Sequence, residues 1–385
     1  MLTERVRAVQ PSPTLRFTAL AKQLQAQGKR VINLAAGEPD FDTPDFIKSA
    51  AVRAIQQGFT KYTPTTGIPE LKAAVAQTLA RDRDLIYRPE QIVVTCGAKQ
   101  ALYNVLQILV QPGDEVLIPS PYWVSYPEMV RLASAVPVEV RTDSRQGFLL
   151  RAPQVEAACT ARTRCLILNS PCNPTGTVLD EESLRGIGRV AHARGLWVIS
   201  DEIYWRLSYG VSAPSIAAVC PQIAPRTIVV DGVSKTYAMT GWRIGYLAAP
   251  QEIAEAAGRL QDHSTSNPAS ISQQAALAAL TGDQAPVDRM VQEFGRRRDL
   301  LVRRLASVPR ISLVEPRGAF YCFVDISATG LRSTNFAQRL LEEALVAVIP
   351  GDGFGWDSHV RLSFALGTEA LQEGLDRFAQ FLEKL

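Results

Sequence analysis

From about residue 90 onward, two hydrophobic periods alternate along the chain. Short apolar runs at residues 91–95, 115–119, 136–140, 164–168, 196–200 and 227–230 read as buried strands. Between them, residues 100–110, 152–159 and 181–194 read as helices. A further strand pattern occupies residues 242–249. This strand–helix alternation predicts an α/β fold, a mostly parallel sheet with helices on both faces.

The two ends of the chain read differently. Residues 1–30 begin irregularly at Pro11-Ser12-Pro13, then continue as a helix to Gln27, stopped by Gly28. A short strand at 31–34 runs into the turn-rich stretch 36–44. Helices at 46–57 and from Pro69 flank the punctuated loop 61–67. After helices at 253–261 and 271–280, a long helix at 287–306 leads into strands at 311–314, 320–324, 346–349 and 360–364, with helices at 336–344 and 369–383. This tail predicts a smaller α+β domain that packs with the N-terminal segment. The expected division is 1–44, an N-terminal segment; 45–285, a large domain; and 286–385, a small domain.

Composition narrows the function. The chain has 385 residues, 46% hydrophobic and 21% charged, as globular chains do, and a formal net charge of +3, too small for a nucleic-acid partner. Six cysteines are scattered without a C-x-x-C pair, and there are three scattered histidines. That pattern speaks against a disulfide framework or a metal site and for a reducing, cytoplasmic setting. Residues 1–10 hold no apolar core of a signal peptide, and no run of about 18 apolar residues predicts a membrane span.

The candidate chemistry gathers around strand ends. Lys235 follows the 227–230 strand in the stretch Ser234-Lys235-Thr236, and it is the only lysine between Lys99 and Lys384 although arginine is abundant. A lysine kept where arginine is otherwise chosen points to amine chemistry, which needs the neutral form; a solvated loop lysine is the plain alternative. Asp201 stands at the end of the 196–200 strand, where open α/β sheets bind ligands, or else caps a helix. The turn Gly97-Ala98-Lys99 opens a helix and leaves backbone N–H groups free for an anion. Neither G-x-G-x-x-G nor a phosphate-binding G-x-x-x-x-G-K-[ST] is present. Asn169-Ser170-Pro171-Cys172-Asn173-Pro174-Thr175-Gly176 is a rigid, irregular loop. Arg361, on an otherwise apolar strand, implies a carboxylate, either internal or belonging to a substrate.

Ser234-Lys235-x-x-x-x-Thr240-Gly241-Trp242-Arg243, the N-x-P-x-N-P-T-G loop and Asp201-x-x-Tyr204, in this order, resemble the class I aminotransferases, pyridoxal-phosphate enzymes of fold type I. The resemblance extends over nearly the whole chain and is strongest to the bacterial aspartate and aspartate/prephenate aminotransferases. It implies a seven-stranded large domain and a Schiff base between the cofactor and Lys235. Asp201 is implied to pair with the pyridine nitrogen, Tyr204 and Asn173 with the phenolic oxygen, and Trp123 to stack on the ring. Ser234, Arg243, the Gly97, Ala98 and Lys99 turn, and Tyr62 from a second subunit, are implied to hold the phosphate. That last residue makes the expected protein a homodimer with shared sites. The substrate is implied to meet Gly37, Trp123, Asn173 and Arg361, with Lys99, Thr14 and Ser12 at the distal carboxylate. Cys172 replaces the commoner serine or histidine of the motif. The same sink also serves aminotransferases of other specificity and fold-type-I lyases. A non-catalytic DNA-binding regulator is disfavoured, because only about forty residues precede the Gly37 loop.

Overall fold

Seven strands form the central sheet: β1 (Ile92–Thr95), β2 (Glu115–Ser120), β3 (Val136–Arg141), β4 (Thr163–Asn169), β5 (Trp197–Asp201), β6 (Thr227–Gly232) and β7 (Gly245–Ala248). Their order is β1-β7-β6-β5-β4-β2-β3, and β7 alone runs antiparallel to its neighbours. This computed structural model describes residues 2–11 and 13–385, excluding the side chains of residues 13–15. The inner strands are mostly apolar because both faces are covered, whereas the edge strand β3 is largely exposed or half-buried and carries Glu139 and Arg141. Leu166 and Leu168 of β4 pack into one core cluster, and the alternating Cys165 and Ile167 into another. Helices Ala98–Leu109 and Gln251–Asp262 supply residues to the second cluster, and Glu181–Ala193 to the first.

A four-stranded antiparallel sheet follows, built from β8 (Ser312–Leu313), β9 (Tyr321–Asp325), β10 (Ile349–Pro350) and β11 (His359–Ser363) in the order β10-β11-β9-β8. Helices Ser333–Ala344 and Thr368–Lys384 cover it. Ile32 and Asn33 pair in parallel with Val346 and Ala347, so both chain ends share one hydrophobic core.

Three sequence expectations change. Residues 346–349, read as one strand, split: Val346–Ala347 serves the two-stranded ladder and Ile349–Pro350 the four-stranded sheet. All four residues are apolar and fully buried, so no change of period marks the break. The strand read at 242–249 begins only at Gly245, because Thr240–Trp242 form a short 3₁₀ turn and Arg243 takes a left-handed φ of 55°. Helix Ser125–Leu132 lay outside the pattern; Pro127 sits in its first turn, where its missing N–H costs no helical bond.

Candidate active site

The strand ends of the central sheet and one face of the small sheet enclose a cavity of about 240 Å³. It is lined by Gly37, Ala98, Lys99, Trp123, Asn173, Asp201, Tyr204, Ser234, Lys235, Arg243 and Arg361, all anticipated from the sequence, and also by Tyr126 and Tyr321, which were not. Tyr62 is not among them. It is 92% exposed on this chain, beside Lys61 and Asn267. Ser12 and the Thr14 side chain lie outside the described residues.

Lys235 follows β6 by three residues, and its Nζ donates to the Gly37 carbonyl at 2.6 Å. Burial pushes its pKa down to about 8, aided by the positive charges of Arg361 and Arg243 and opposed chiefly by Glu38. Glu38 accepts from the Thr240 hydroxyl at 2.7 Å.

Asp201 ends β5 and starts no helix, so the capping alternative falls away. Its carboxylate accepts from the Tyr126 hydroxyl at 2.6 Å and from the Ile203 amide at 3.3 Å. Burial raises its pKa to about 6, against the lowering effect of the Tyr126 bond. Behind it, Arg83 pairs with Glu202 and stands 3.7 Å from Asp231, with all three buried. Glu202 and Asp231 adjoin the ends of β5 and β6, so this hidden cluster ties together the strands that present Asp201 and Lys235.

Asn169 holds the Asn-Pro loop to the same corner. Its side chain donates to the Asp201 carbonyl at 3.0 Å and accepts from the Asn173 amide at 2.9 Å. Asn173 in turn accepts from Arg361 Nη1 at 2.9 Å, while Arg361 Nη2 donates to the Ala35 carbonyl at 3.0 Å. Arg361 is 1% exposed, its Nε has no partner, and among the described residues no carboxylate pairs with it. The internal salt bridge that the sequence left open is therefore not formed. A buried guanidinium without an anion is costly and leaves room for one.

At the opposite corner, helix Ala98–Leu109 begins beside Arg243, with its first N–H groups left without intrahelical partners. A Cβ at Gly97, whose φ is +80°, would meet Arg243 Nη2 at 2.5 Å, so glycine lets the guanidinium approach the turn. Arg243 itself is held by the carbonyls of Thr240 and Cys96 at 3.0 and 3.2 Å. Lys99 lies at the pocket mouth with its ammonium 4.8 Å from the Trp123 ring centre. Desolvation there, and then the Arg243 charge, lower its pKa.

Fold and pocket together define a pyridoxal-phosphate-dependent transferase. Residues 29–378 match the family described as Aminotransferase class I and II, and the chain belongs to that family. It is 46% identical over 388 residues to the aspartate aminotransferase of Geobacillus stearothermophilus, covering 99% of both chains. It is 45% identical over 384 residues to the aspartate/prephenate aminotransferase of Thermus thermophilus, covering 99% of this chain and 98% of that one. The solved structure of the Thermus thermophilus aspartate aminotransferase with maleate matches it with a TM-score of 0.96 at 45% identity, over 99% of each chain.

The residues present fit the cofactor of this family. A buried carboxylate bonded only by neutral donors suits a protonated ring nitrogen. The free N–H groups of a 12-residue helix beside Arg243 and Ser234 suit a phosphate. Tyr126 could have been found from its place three residues after Trp123, one helical turn on, and Tyr321 only from the cross-strand register.

Proposed function

We propose that this protein transfers the amino group of aspartate to a keto acid, with 2-oxoglutarate or prephenate as acceptor. The observation that carries the reading is a buried amine held near neutrality, in one cavity with a buried arginine that lacks an anion. The names of the full-length relatives support aspartate as donor. When bound, pyridoxal phosphate supplies an electron sink beside the Cα of the amino acid.

Lys235 would hold the cofactor through its amine, and the same amine is placed to move the proton at Cα. With a pKa of about 8, about a tenth of its amines are neutral at pH 7, against fewer than one in about a thousand at the ordinary value. Asp201 keeps the ring nitrogen protonated. Tyr204 and Asn173 hold the phenolic oxygen, and Trp123 covers the ring. Ser234, Arg243 and the Gly97, Ala98 and Lys99 turn hold the phosphate. Arg361 binds the α-carboxylate beside Asn173 and the Gly37 backbone, which orients the Cα–H bond. Lys99, with Ser12 and Thr14, binds the distal carboxylate.

The working unit is a homodimer in which Tyr62 reaches the partner's phosphate. Its 92% exposure, together with exposed Val52 and Ile55, supports that reading. Each chain divides at residues 44 and 285, as the separation of the seven-stranded sheet from the four-stranded one and the ladder from Ile32 to Val346 supports. Six free cysteines support a cytoplasmic setting.

The test is to incubate purified protein with aspartate and either 2-oxoglutarate or prephenate, following oxaloacetate and the new amino acid. Turnover of an aromatic or alanine donor in place of aspartate would move the assignment within the family. Loss of CO₂ or of a side chain without amino transfer would move it to a lyase.

A further inference from the structure

Tyr321 touches both halves of the pocket. Its hydroxyl lies 3.1 Å from that of Tyr204, and either can be the donor. Its ring centre lies 4.2 Å from the Arg361 guanidinium carbon. A Cβ at Gly37 would stand 3.6 Å from the same hydroxyl oxygen, so the group also faces the N-terminal loop. The arrangement comes from sheet register. β9 and β11 pair Tyr321 with Ser363 and Phe323 with Arg361, which makes Tyr321 and Arg361 diagonal neighbours on one face. Tyr321 is 1% exposed, so neither contact is a surface accident.

We propose that Tyr321 is a positioning residue with two separable roles: its ring orients Arg361 for a carboxylate, and its hydroxyl strengthens Tyr204 as a hydrogen-bond donor. The inference rests on the reading of this pocket as the cofactor and aspartate site. A phenol has one proton to give. When Tyr204 directs its proton to the phenolic oxygen of the cofactor, its own oxygen is free to accept from Tyr321. Accepting a hydrogen bond strengthens the one that is donated. The ring, for its part, attracts a desolvated guanidinium to its face and fixes the plane in which the two Nη groups point. That plane decides whether a carboxylate is met by two donors or by one.

The experiment compares the holoenzyme with Tyr321→Phe and Tyr321→Leu by two readouts. One is the pH midpoint of the visible absorption of the bound cofactor. The other is the dissociation constant of maleate, a dicarboxylate without an amino group. Tyr321→Phe keeps the ring and should leave maleate affinity unchanged. Its midpoint should rise by about 0.3 pH unit or more, because weaker donation by Tyr204 lets the protonated form persist to higher pH. Tyr321→Leu should raise the midpoint alike and also weaken maleate about tenfold. If leucine prevents folding, Tyr321→Met fills more of the space and serves the same comparison. An unchanged midpoint in the phenylalanine variant, unchanged maleate affinity in the ring-less variant, or equal loss of both in the phenylalanine variant overturns the proposal. A wild-type preparation without cofactor absorption would overturn the reading of the pocket as well, whereas normal wild type with unresponsive variants overturns this inference alone.

Discussion

The Tyr126 hydroxyl donates to the Asp201 carboxylate at 2.6 Å in a site where burial holds that carboxyl at a pKa of about 6. The protein thus carries a buried acid stabilised by neutral groups, ready for a cationic partner. Asp201→Asn should cut turnover by roughly a hundredfold or more, since a charge-assisted contact in a dry site contributes about 2–4 kcal/mol. Wild-type turnover in a variant that binds pyridoxal phosphate would remove Asp201 from the mechanism.

The same acid should be visible in the stability of the cofactor-free protein. Its pKa is raised on folding from 3.8 to about 6, so the folded chain binds the proton more tightly. The associated stability is present in full below the unfolded value and is lost as pH rises through about 6, about 3 kcal/mol in all. Urea unfolding across that window should show a steeper decline in wild type than in Asp201→Asn, which keeps the like contribution of buried Asp231, itself pushed up to about 7. Matching slopes in the two proteins would contradict the assignment.

Lys235 should be the labelled lysine when the protein is treated with pyridoxal phosphate and borohydride, and peptide mapping reads the site. Labelling at limiting cofactor should rise with pH to a midpoint near 8, where burial has placed the amine. A midpoint near the ordinary lysine value, or label at Lys99, would contradict the assignment.

Mixing Tyr62→Phe chains with Lys235→Ala chains tests the shared site. A heterodimer carries one site with both defects and one with neither, so activity should exceed that of either parent. Verified subunit exchange without recovery would confine Tyr62 to packing.

Lys99→Met should lower kcat/KM for aspartate at least about tenfold, as loss of a charge-assisted bond of about 1.5–3 kcal/mol requires. A monocarboxylic donor should be spared. Equal losses for both donors would assign Lys99 to the phosphate alone.

Much of this site was legible because its residues occupy loops that leave strand ends, and such loops advertise themselves with glycine, proline and asparagine. Lys235, Asn173 and the Gly97 turn belong to stretches of that kind, whereas Asp201 was legible as a charged residue closing an apolar strand. Tyr321 did not stand out, since it sits inside a buried strand where an aromatic residue is ordinary, and only pairing with β11 reveals its neighbour. The Arg83, Glu202 and Asp231 cluster was hidden for a related reason. Its three members come from separate helix and strand ends, and nothing local to any of them specifies the others. The split of residues 346–349 was unreadable because burial on every side erases periodicity.

The guanidinium of Arg361 grips the Ala35 carbonyl across 326 residues of sequence, and Ile32 finds its strand partner only at Val346. A ribosome therefore releases the first wall of the pocket long before the last. Until residues near 361 emerge, the segment around residue 35 has only its contacts with the lysine loop, such as Gly37 with Lys235 and Glu38 with Thr240, and lacks its strand and arginine partners. The large sheet can close on itself during synthesis, but competence to bind a carboxylate arrives only with the final stretch of chain. A nascent chain stalled before that point would carry Lys235 without the arginine that selects what reaches it.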